Sequence, residues 1–439
     1  MDGKLLARQI FLRTLEALDV SESVSRCVSC ADRVLRCGDA EYDLRDTSDL
    51  RVIAVGKAAH AMLDGLIAVL PADTGLTGIV SAPAPAKNRH LGLRYFAGGH
   101  PTPNEQSLFA GEAALNLLHG CTTKTLVIVL LSGGGSALME FPLLRSLSLG
   151  EVQQMNRALV TCGASITEIN AIRKHVSAVK GGRIAQAAVP ARVITLAISD
   201  VPIGKESALA SGPTLPDPTT RDDVSAMVAK YDLRARLPKR LAEWIDSQEM
   251  PETPKPASPA FERAQFRLIL GMHELFHAAH RIAEALDCEA FCDNSTDEWP
   301  VERAADFLLA QLQELRVANP RHPVALIADG ELSSTVTGDG VGGRNSAFVL
   351  ACVEKIAGQG IVALSAGTDG IDGNSPAAGA IADGETLFRA KNAGLDPQEF
   401  FCRSDSFSFF AVLGDTIATG PTGNNLRDLR LLIAFPDNV

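Results

Sequence analysis

Several glycine-rich and charged segments of the sequence directly follow short apolar runs. Lys57 comes two residues after the run Val52–Val55, and three glycines between two serines follow the run Leu126–Leu131. Backbone N–H groups of such a turn can surround a phosphate or a carboxylate, and a nearby lysine can neutralise a phosphoryl group. We therefore predict Lys57 as a catalytic residue. The turn supplies five candidate ligand-binding residues: Ser132, Gly133, Gly134, Gly135 and Ser136.

Arg344 follows two glycines, which leave room for a ligand to approach the backbone. Its planar guanidinium suits bidentate contact with phosphoryl oxygens, so we predict it as a second catalytic cation. The alternative is a structural arginine that pairs with a carboxylate such as that of Glu331. Under that alternative, a lysine in its place would keep most of the activity.

Three aspartates on similar segments are candidate magnesium ligands: Asp200, Asp369 and Asp372. Magnesium bound to a nucleotide takes one or two carboxylates and completes its shell with phosphate oxygens and water. Asp200 is also a candidate catalytic residue. Helix caps and Asx turns are the alternative use of aspartates at such positions.

Two motif matches carry less weight. Gly338–Gly343 reads G-x-G-x-x-G, but the run before it is a poor buried strand and no acidic residue ends a second strand about twenty residues on. His273-Glu274-x-x-His277 matches a zinc-hydrolase signature, but it lies at a predicted helix start, directly after a strand. We expect an exposed histidine face there, and neither a dinucleotide fold nor a zinc hydrolase.

Composition limits the possible partners. The 439 residues carry a net charge of −11 and a pI near 5.4, which argues against a nucleic-acid surface. No apolar run approaches the roughly 20 residues that span a bilayer, so no membrane partner is predicted. The first residues lack the apolar segment of a secretory signal, and nine cysteines form no disulfide framework. These features predict a cytoplasmic protein.

Apolar strands alternate with helical stretches along the chain after an N-terminal helical region at residues 4–37. This rhythm predicts an α/β fold of two domains with mostly parallel sheets covered on both faces. Four prolines within residues 249–260 mark a predicted linker. The predicted domains are residues 1–248, which are Rossmann-like, and residues 261–439.

Longer segments in both halves resemble one known family, the MOFRL-type glycerate 2-kinases. Those that resemble its N-terminal domain are Ile169–Arg183, Ser199–Gly204 and Ser211–Thr214. Those that resemble its C-terminal MOFRL domain are Gly342–Asn345, Ala366–Gly373 and Gly414–Gly423. The resemblance covers nearly the whole chain.

The resemblance implies ATP-dependent phosphorylation of D-glycerate at the 2-hydroxyl, with a divalent cation taken as Mg²⁺, in a cleft between two α/β domains. The family's essential lysine and arginine correspond to Lys57 and Arg344. We expect both to hold the transferring phosphoryl charge, since phosphoryl transfer depends on positioning and neutralisation. Further candidate nucleotide- or substrate-binding residues lie in these segments or near them: Arg173, Lys180, Glu331, Asn345, Thr368, Thr419 and Thr422.

Two other functions stay open at the level of sequence. Relatives of this family have been named hydroxypyruvate reductases, although the chain has no dinucleotide fingerprint in its usual strand–helix context. A non-catalytic sugar-acid binding protein is the other alternative. The predicted partners are D-glycerate and ATP, and a homodimer is a possible assembly.

Overall fold

The computed structural model describes most of the chain, as follows: residues 2–86, 88–199, 201, 204–247, 249–423 and 426–436. The chain forms two compact units. One comprises residues 20–269, and the other comprises residues 1–19 together with residues 270–439. Among the described residues, no helix is both long enough and apolar enough to cross a membrane.

Helix α1 (Gly3–Ala17) opens the chain and belongs to the second of these units. The helices of residues 20–269 are α2 (Val20–Cys27), α3 (Ala59–Val69), α4 (Glu105–Leu118), α5 (Gly135–Leu138), α6 (Leu149–Val160), α7 (Ile166–Val176), α8 (Arg183–Ala188), α9 (Arg221–Lys230) and α10 (Lys239–Asp246), with 3₁₀ turns at Glu206–Ser211 and Pro259–Phe261. Its strands are β1 (Val28–Ala31), β2 (Val34–Cys37), β3 (Ala40–Asp43), β4 (Asp49–Val55), β5 (Leu76–Ala82), β6 (Leu93–Ala97), β7 (Thr125–Leu131), β8 (Arg192–Ile198) and β9 (Ala264–Leu270).

The main sheet of this unit has the order β6-β5-β4-β7-β8-β9, and the four pairs from β6 to β8 are parallel. Every residue of β7 is buried. A strand this apolar is typical of a parallel sheet with both faces covered. The predicted α/β fold with a parallel sheet is confirmed here.

The helix predicted over residues 4–37 ends earlier than expected. Strands β1, β2 and β3 form a separate antiparallel sheet from Val28 onward. Asp32 and Arg33 both have positive φ, near 51° and 61°, which makes the tight reversal between the first two strands. The apolar residues of this segment recur at helical spacing, so the sequence pattern predicted a continuous helix and gave no sign of the turn.

The second unit contains six further helices and a six-stranded sheet. Its helices after α1 are α11 (Met272–Glu284), α12 (Val301–Ala318), α13 (Arg344–Val353), α14 (Thr386–Asn392), α15 (Pro397–Cys402) and α16 (Ser406–Leu413). Its strands are β10 (Glu289–Asp293), β11 (Val324–Asp329), β12 (Ile361–Gly367), β13 (Gly379–Asp383), β14 (Thr416–Ile417) and β15 (Asp428–Ala434).

This second sheet is mixed, with the order β10-β11-β15-β12-β13-β14. Among the described residues, β10 and β11 pair in parallel, and the other four strand pairs are antiparallel. The final strand, β15, inserts between β11 and β12 and runs against both. No helix lies between β12 and β13, so the chain has no crossover that would make them parallel. The second unit is therefore α/β, but its strand directions differ from the predicted ones.

The division of the chain differs from the predicted boundaries. Helix α1 buries Leu6, Ala7 and Ile10 in the second unit, where it packs on α11 and β12. The proline-rich segment 249–260 is no free linker. Thr253 is buried and donates to Asp217 Oδ2 at 3.0 Å, and β9 then extends the sheet of residues 20–269.

The packing of α2 on α3 gives a stability prediction. A Cβ on Gly65 of α3 would lie 2.3 Å from the Ser21 carbonyl oxygen, so Gly65→Ala should lower the free energy of unfolding by about 1–3 kcal/mol. Gly150 in α6 is the control, since a Cβ there meets only one atom, at 4.0 Å. Gly150→Ala should leave stability unchanged or raise it by up to about 1 kcal/mol. Urea denaturation measures both, and equal stabilisation by both substitutions would contradict the close packing.

Candidate active site

Two loops predicted to carry chemistry lie side by side in the unit of residues 20–269. Strands β4 and β7 are parallel neighbours with Val55 opposite Leu131, so the segments that follow them meet at one sheet edge. The Lys57 N–H donates to the Gly133 carbonyl oxygen at 2.9 Å. The Ala58 N–H donates to Ser132 Oγ at 3.0 Å. The structure therefore brings Lys57 to the glycine-rich turn, as the sequence suggested.

The members of the turn have different surroundings. Ser132 is fully buried and its hydroxyl accepts a backbone N–H, so its side chain braces the two loops instead of facing a ligand. Gly134 has φ near 81°, and a Cβ there would lie 3.4 Å from Lys57 Cγ. Ser136 Oγ lies 3.0 Å from Ser211 Oγ. Ligand contacts by the backbone of Gly133–Gly135 and by Ser136 remain predictions.

The charged segment around Arg173 and Lys180 is mostly buried, although such a run is ordinarily a solvated helix face; Arg173 itself is partly exposed. Lys174 pairs with Asp217 at 3.3 Å inside the unit, and His175 is fully buried. Lys180 forms a buried ion pair with Glu140. Burial lowers the pKa of Lys180, and the Glu140 carboxylate acts in the opposite direction.

Glu140 is a residue that the sequence analysis missed. Its Oε1 accepts from Ser177 Oγ at 2.5 Å and from the Phe141 N–H at 2.8 Å. No local pattern predicts a partner that lies 40 residues away in sequence. Asp200, predicted as catalytic and as a magnesium ligand, lies outside the described residues.

Arg344 opens helix α13 in the second unit and is held by two carboxylates. Its Nε lies 2.5 Å from Asp428 Oδ2, and its Nη2 lies 3.0 Å from Glu331 Oε1. Asp428 is buried and Glu331 is half exposed. Burial disfavours the charged guanidinium, but the two carboxylates outweigh this effect and raise the pKa of Arg344. The pairing with Glu331 considered as an alternative is thus present, and Asp428 is a second partner that the sequence analysis missed.

Three predicted ligand residues have structural partners instead. The Asp372 carboxylate accepts the Asn345 and Ser346 N–H groups, each at 2.9 Å, so it caps α13 and is not placed as a magnesium ligand. Asn345 is buried, and its Oδ1 accepts from Ser365 Oγ at 2.6 Å. The Thr368 hydroxyl donates to the Arg427 carbonyl oxygen at 2.7 Å and accepts from the Leu426 N–H at 2.8 Å.

The other candidates of this unit lie on neighbouring loops. Asp369 Oδ1 accepts the Ile371 N–H at 3.0 Å in an Asx turn. Thr422 donates through Oγ1 to the Thr368 carbonyl oxygen at 2.5 Å, and its N–H donates to the Asp369 carbonyl oxygen. Thr419 Oγ1 bonds the adjacent Gly420 carbonyl oxygen. Asp369 and these threonines stay candidates for ligand contact.

Asp329, at the end of β11, is a buried carboxylate whose two oxygens accept no hydrogen bond from any described group. Burial raises its pKa to about 6, although Arg427 and Arg430 oppose this rise. Arg430 is itself fully buried and donates to the Gly330 carbonyl oxygen at 2.9 Å. Burial lowers its pKa to about 10.

Two family descriptions match this sequence: "Domain of unknown function (DUF4147)" over residues 6–246 and "MOFRL family" over residues 324–428. A D-glycerate 2-kinase of Thermotoga maritima is 34% identical over 86% of this chain and 89% of its own. A glycerate 2-kinase of Pyrococcus horikoshii is 30% identical over 99% and 98% of the two chains. The chain belongs to the MOFRL family of glycerate 2-kinases.

The fold agrees with this membership. The crystal structure of the glycerate kinase from Thermotoga maritima superimposes with a TM-score of 0.82 at 31% identity, over 98% of this chain and 99% of that one. A putative hydroxypyruvate reductase of Agrobacterium vitis is 36% identical over 87% and 86% of the two chains. Both names predicted from the sequence therefore occur among the relatives.

In this MOFRL-family chain, the two secondary motifs have structural explanations. Gly338 and Gly340 pack on the segment Arg403–Asp405, where a Cβ would lie 2.4–2.5 Å from the nearest atoms. The rings of His273 and His277 contact each other edge to face. The described residues contain no group of three or more acidic, histidine or cysteine side chains suited to a metal.

The buried Asp329 gives a pH prediction. Its pKa rises on folding, so the folded protein binds more protons than the unfolded chain between about pH 4 and pH 6, and stability falls as pH rises through that window. Asp329→Asn should therefore raise the melting temperature at pH 8, by an amount corresponding to at most about 3 kcal/mol. The gain should vanish near pH 4. A gain of equal size at both pH values would contradict burial of an ionised carboxylate.

Proposed function

We propose that this protein transfers the γ-phosphoryl group of ATP to the 2-hydroxyl of D-glycerate, giving 2-phosphoglycerate and ADP. The observation that carries the proposal is the similarity to D-glycerate 2-kinases along nearly the whole chain. The geometry of both strand-end sites supports it, since each contains a cation beside a loop that can receive an anion. A cytoplasmic location and a homodimeric assembly stay predictions.

Lys57 and the glycine-rich turn support the binding of phosphoryl oxygens. The transition state of phosphoryl transfer spreads negative charge over oxygens and is stabilised by positioned cations and N–H donors. Lys57 is fixed through its own backbone to Gly133, so its side chain starts from a defined point beside the turn. We assign this lysine to the phosphoryl oxygens of the donor.

Arg344 is suited to an exchange of partners. Buried Asp428 holds one edge of the guanidinium with two contacts, at 2.5 and 3.3 Å. Half-exposed Glu331 occupies the other edge and meets solvent. A phosphoryl group would replace Glu331 there, while Asp428 keeps the guanidinium in place. Under this proposal Glu331 is a displaceable partner of Arg344 and makes no contact of its own with the anionic ligand.

Magnesium fits as an ion that arrives with the nucleotide. The described residues offer no complete protein cage, but a nucleotide-bound ion needs only one or two carboxylates. Asp369 remains the described candidate, and Asp200 is the other predicted one. When bound, the ion would neutralise part of the charge of the phosphoryl groups.

Hydroxypyruvate reduction is the second candidate, favoured only by the names of relatives such as the one from Agrobacterium vitis. The glycines of the G-x-G-x-x-G match are needed for packing, so they give no support to a dinucleotide site. Oxidation of NADH or NADPH by hydroxypyruvate, followed at 340 nm, would favour this function. We expect no such oxidation.

A coupled assay tests the proposed reaction and its regiochemistry. The protein is incubated with D-glycerate, ATP and magnesium, and the product is passed to enolase without phosphoglycerate mutase. Formation of phosphoenolpyruvate is expected, because enolase accepts 2-phosphoglycerate directly. A signal that requires the mutase would mean transfer to the 3-hydroxyl and would contradict the proposal.

Replacing Arg344 by lysine tests its proposed role. A lysine ammonium group is a point charge and cannot bind two partners along two edges, as the planar guanidinium can. Arg344→Lys should therefore lower kcat by about 10³-fold with a small change in melting temperature. Arg389→Lys is the matched control, since Arg389 also pairs with an aspartate, Asp415 at 2.8 Å, in the same unit. The control should keep its kcat. Full activity of Arg344→Lys would remove Arg344 from the catalytic residues.

A further inference from the structure

Arg173 differs from the buried arginines Arg183 and Arg430. It lies in the last turn of α7, and its side chain is only partly buried. Its Nε has no acceptor, as is also true of the Nε atoms of Arg183 and Arg430, but its terminal nitrogens likewise form no hydrogen bond or ion pair with any described residue. By contrast, the buried Arg183 donates to the Pro251 carbonyl oxygen at 3.1 Å, and Arg430 donates to that of Gly330.

The carboxylate that acts on Arg173 through space already has other partners. Glu140 acts on Arg173 through space, but its carboxylate is taken up by Lys180, Ser177 and the Phe141 N–H. Because Lys180 and Glu140 neutralise each other, the charge of Arg173 has no counter-charge of its own. Burial lowers the pKa of Arg173, yet a guanidinium stays protonated in proteins. A partly desolvated cation without a hydrogen-bonded partner is costly, and a bound anion would lower that cost.

The position of Arg173 relates it to the glycine-rich turn. Asn170 lies three residues earlier, on the same face of α7. Its Oδ1 accepts from Ser211 Oγ at 3.1 Å, and Ser211 Oγ lies 3.0 Å from Ser136 Oγ. This chain of polar groups links the face of α7 that carries Arg173 to the end of the turn. Lys57 flanks the same turn from the side of β4.

We propose that Arg173 binds the carboxylate of D-glycerate. The inference rests on the proposed function and assigns one substrate group to a residue within it. A planar guanidinium matches a carboxylate with two parallel hydrogen bonds. The turn between Arg173 and Lys57 would then lie between the carboxylate of the acceptor and the phosphoryl group of the donor.

Ligand-dependent thermal shifts test this assignment without relying on turnover. The wild-type protein, Arg173→Gln and Arg157→Gln are melted alone, with D-glycerate, with glycerol at the same concentration, and with ADP and magnesium. Arg157 is an exposed cation on α6 and controls for the loss of one positive charge from the same unit. A ligand that binds the folded state raises the melting temperature in proportion to its affinity.

The expected result is selective. D-glycerate should raise the melting temperature of the wild-type protein and of Arg157→Gln, and glycerol should raise neither. For Arg173→Gln, D-glycerate should no longer raise the melting temperature, whereas ADP with magnesium still should. The affinity of Arg173→Gln for D-glycerate should fall about 10- to 100-fold. Without ligand, Arg173→Gln should melt no lower than the wild type, because the substitution removes a partly buried charge that forms no ion pair with a described residue.

Other outcomes overturn the proposal. Loss of the ADP shift alone would assign Arg173 to the phosphates of the donor. Retention of both shifts would mean that Arg173 binds neither ligand, and a lower ligand-free melting temperature with both shifts lost would indicate a structural arginine.

The enolase-coupled assay separates this inference from the proposed function. Suppose that the wild type forms 2-phosphoglycerate and that Arg173→Gln keeps its KM for D-glycerate. This result would support the proposed kinase function and contradict the proposed carboxylate site. Suppose instead that the wild type has no kinase activity, but that D-glycerate raises its melting temperature and fails to raise that of Arg173→Gln. This result would contradict the kinase proposal and support the proposed binding site.

Discussion

The in-register parallel pairing of β4 with β7 is the constraint on which the first site depends. It places Val55 opposite Leu131, so the two following loops must share the space above one sheet edge. That space admits no side chain on Gly56, whose Cβ would lie 2.1 Å from Ser132 Oγ. The same pairing directs the Lys57 N–H to the Gly133 carbonyl oxygen. The register of β4 against β7 therefore determines the position of the glycine-rich turn, the position of the Lys57 backbone and the requirement for glycine at position 56.

Buried charges organise the surroundings of both sites. Each unit removes carboxylates from water and pairs them with a cation from a distant segment, as Glu140 with Lys180 and Asp428 with Arg344. Such pairs contribute little net stability, because desolvation offsets much of their attraction. Their effect is to hold the charged end group of a flexible side chain in one position. For Arg344 this means that buried Asp428 holds one edge of the guanidinium, while the other edge pairs with Glu331, which is half exposed to solvent.

Features that depend on a few consecutive residues could be predicted from the sequence. Features that depend on contacts between distant segments could not. Apolar runs followed by glycines identified β4, β7 and the adjacent loops, because strand, turn and helix each leave a signal within a few residues. The insertion of β15 between β11 and β12 leaves no such signal. The cap that Asp372 gives to α13 comes from a residue 26 or more positions away, so the same aspartate fitted a magnesium ligand equally well.

The charge that remains unpaired differs between the two sites. The second unit groups three arginines with four acidic residues near the ends of β11 and β15, namely Arg344, Arg427 and Arg430 with Asp297, Asp329, Glu331 and Asp428. This group has an excess of negative charge, so a polyphosphate would approach it most favourably with a divalent cation bound. In the first unit, by contrast, Arg173 forms no ion pair with any described residue. By charge, a bare carboxylate suits the surroundings of Arg173, which agrees with the acceptor site proposed above.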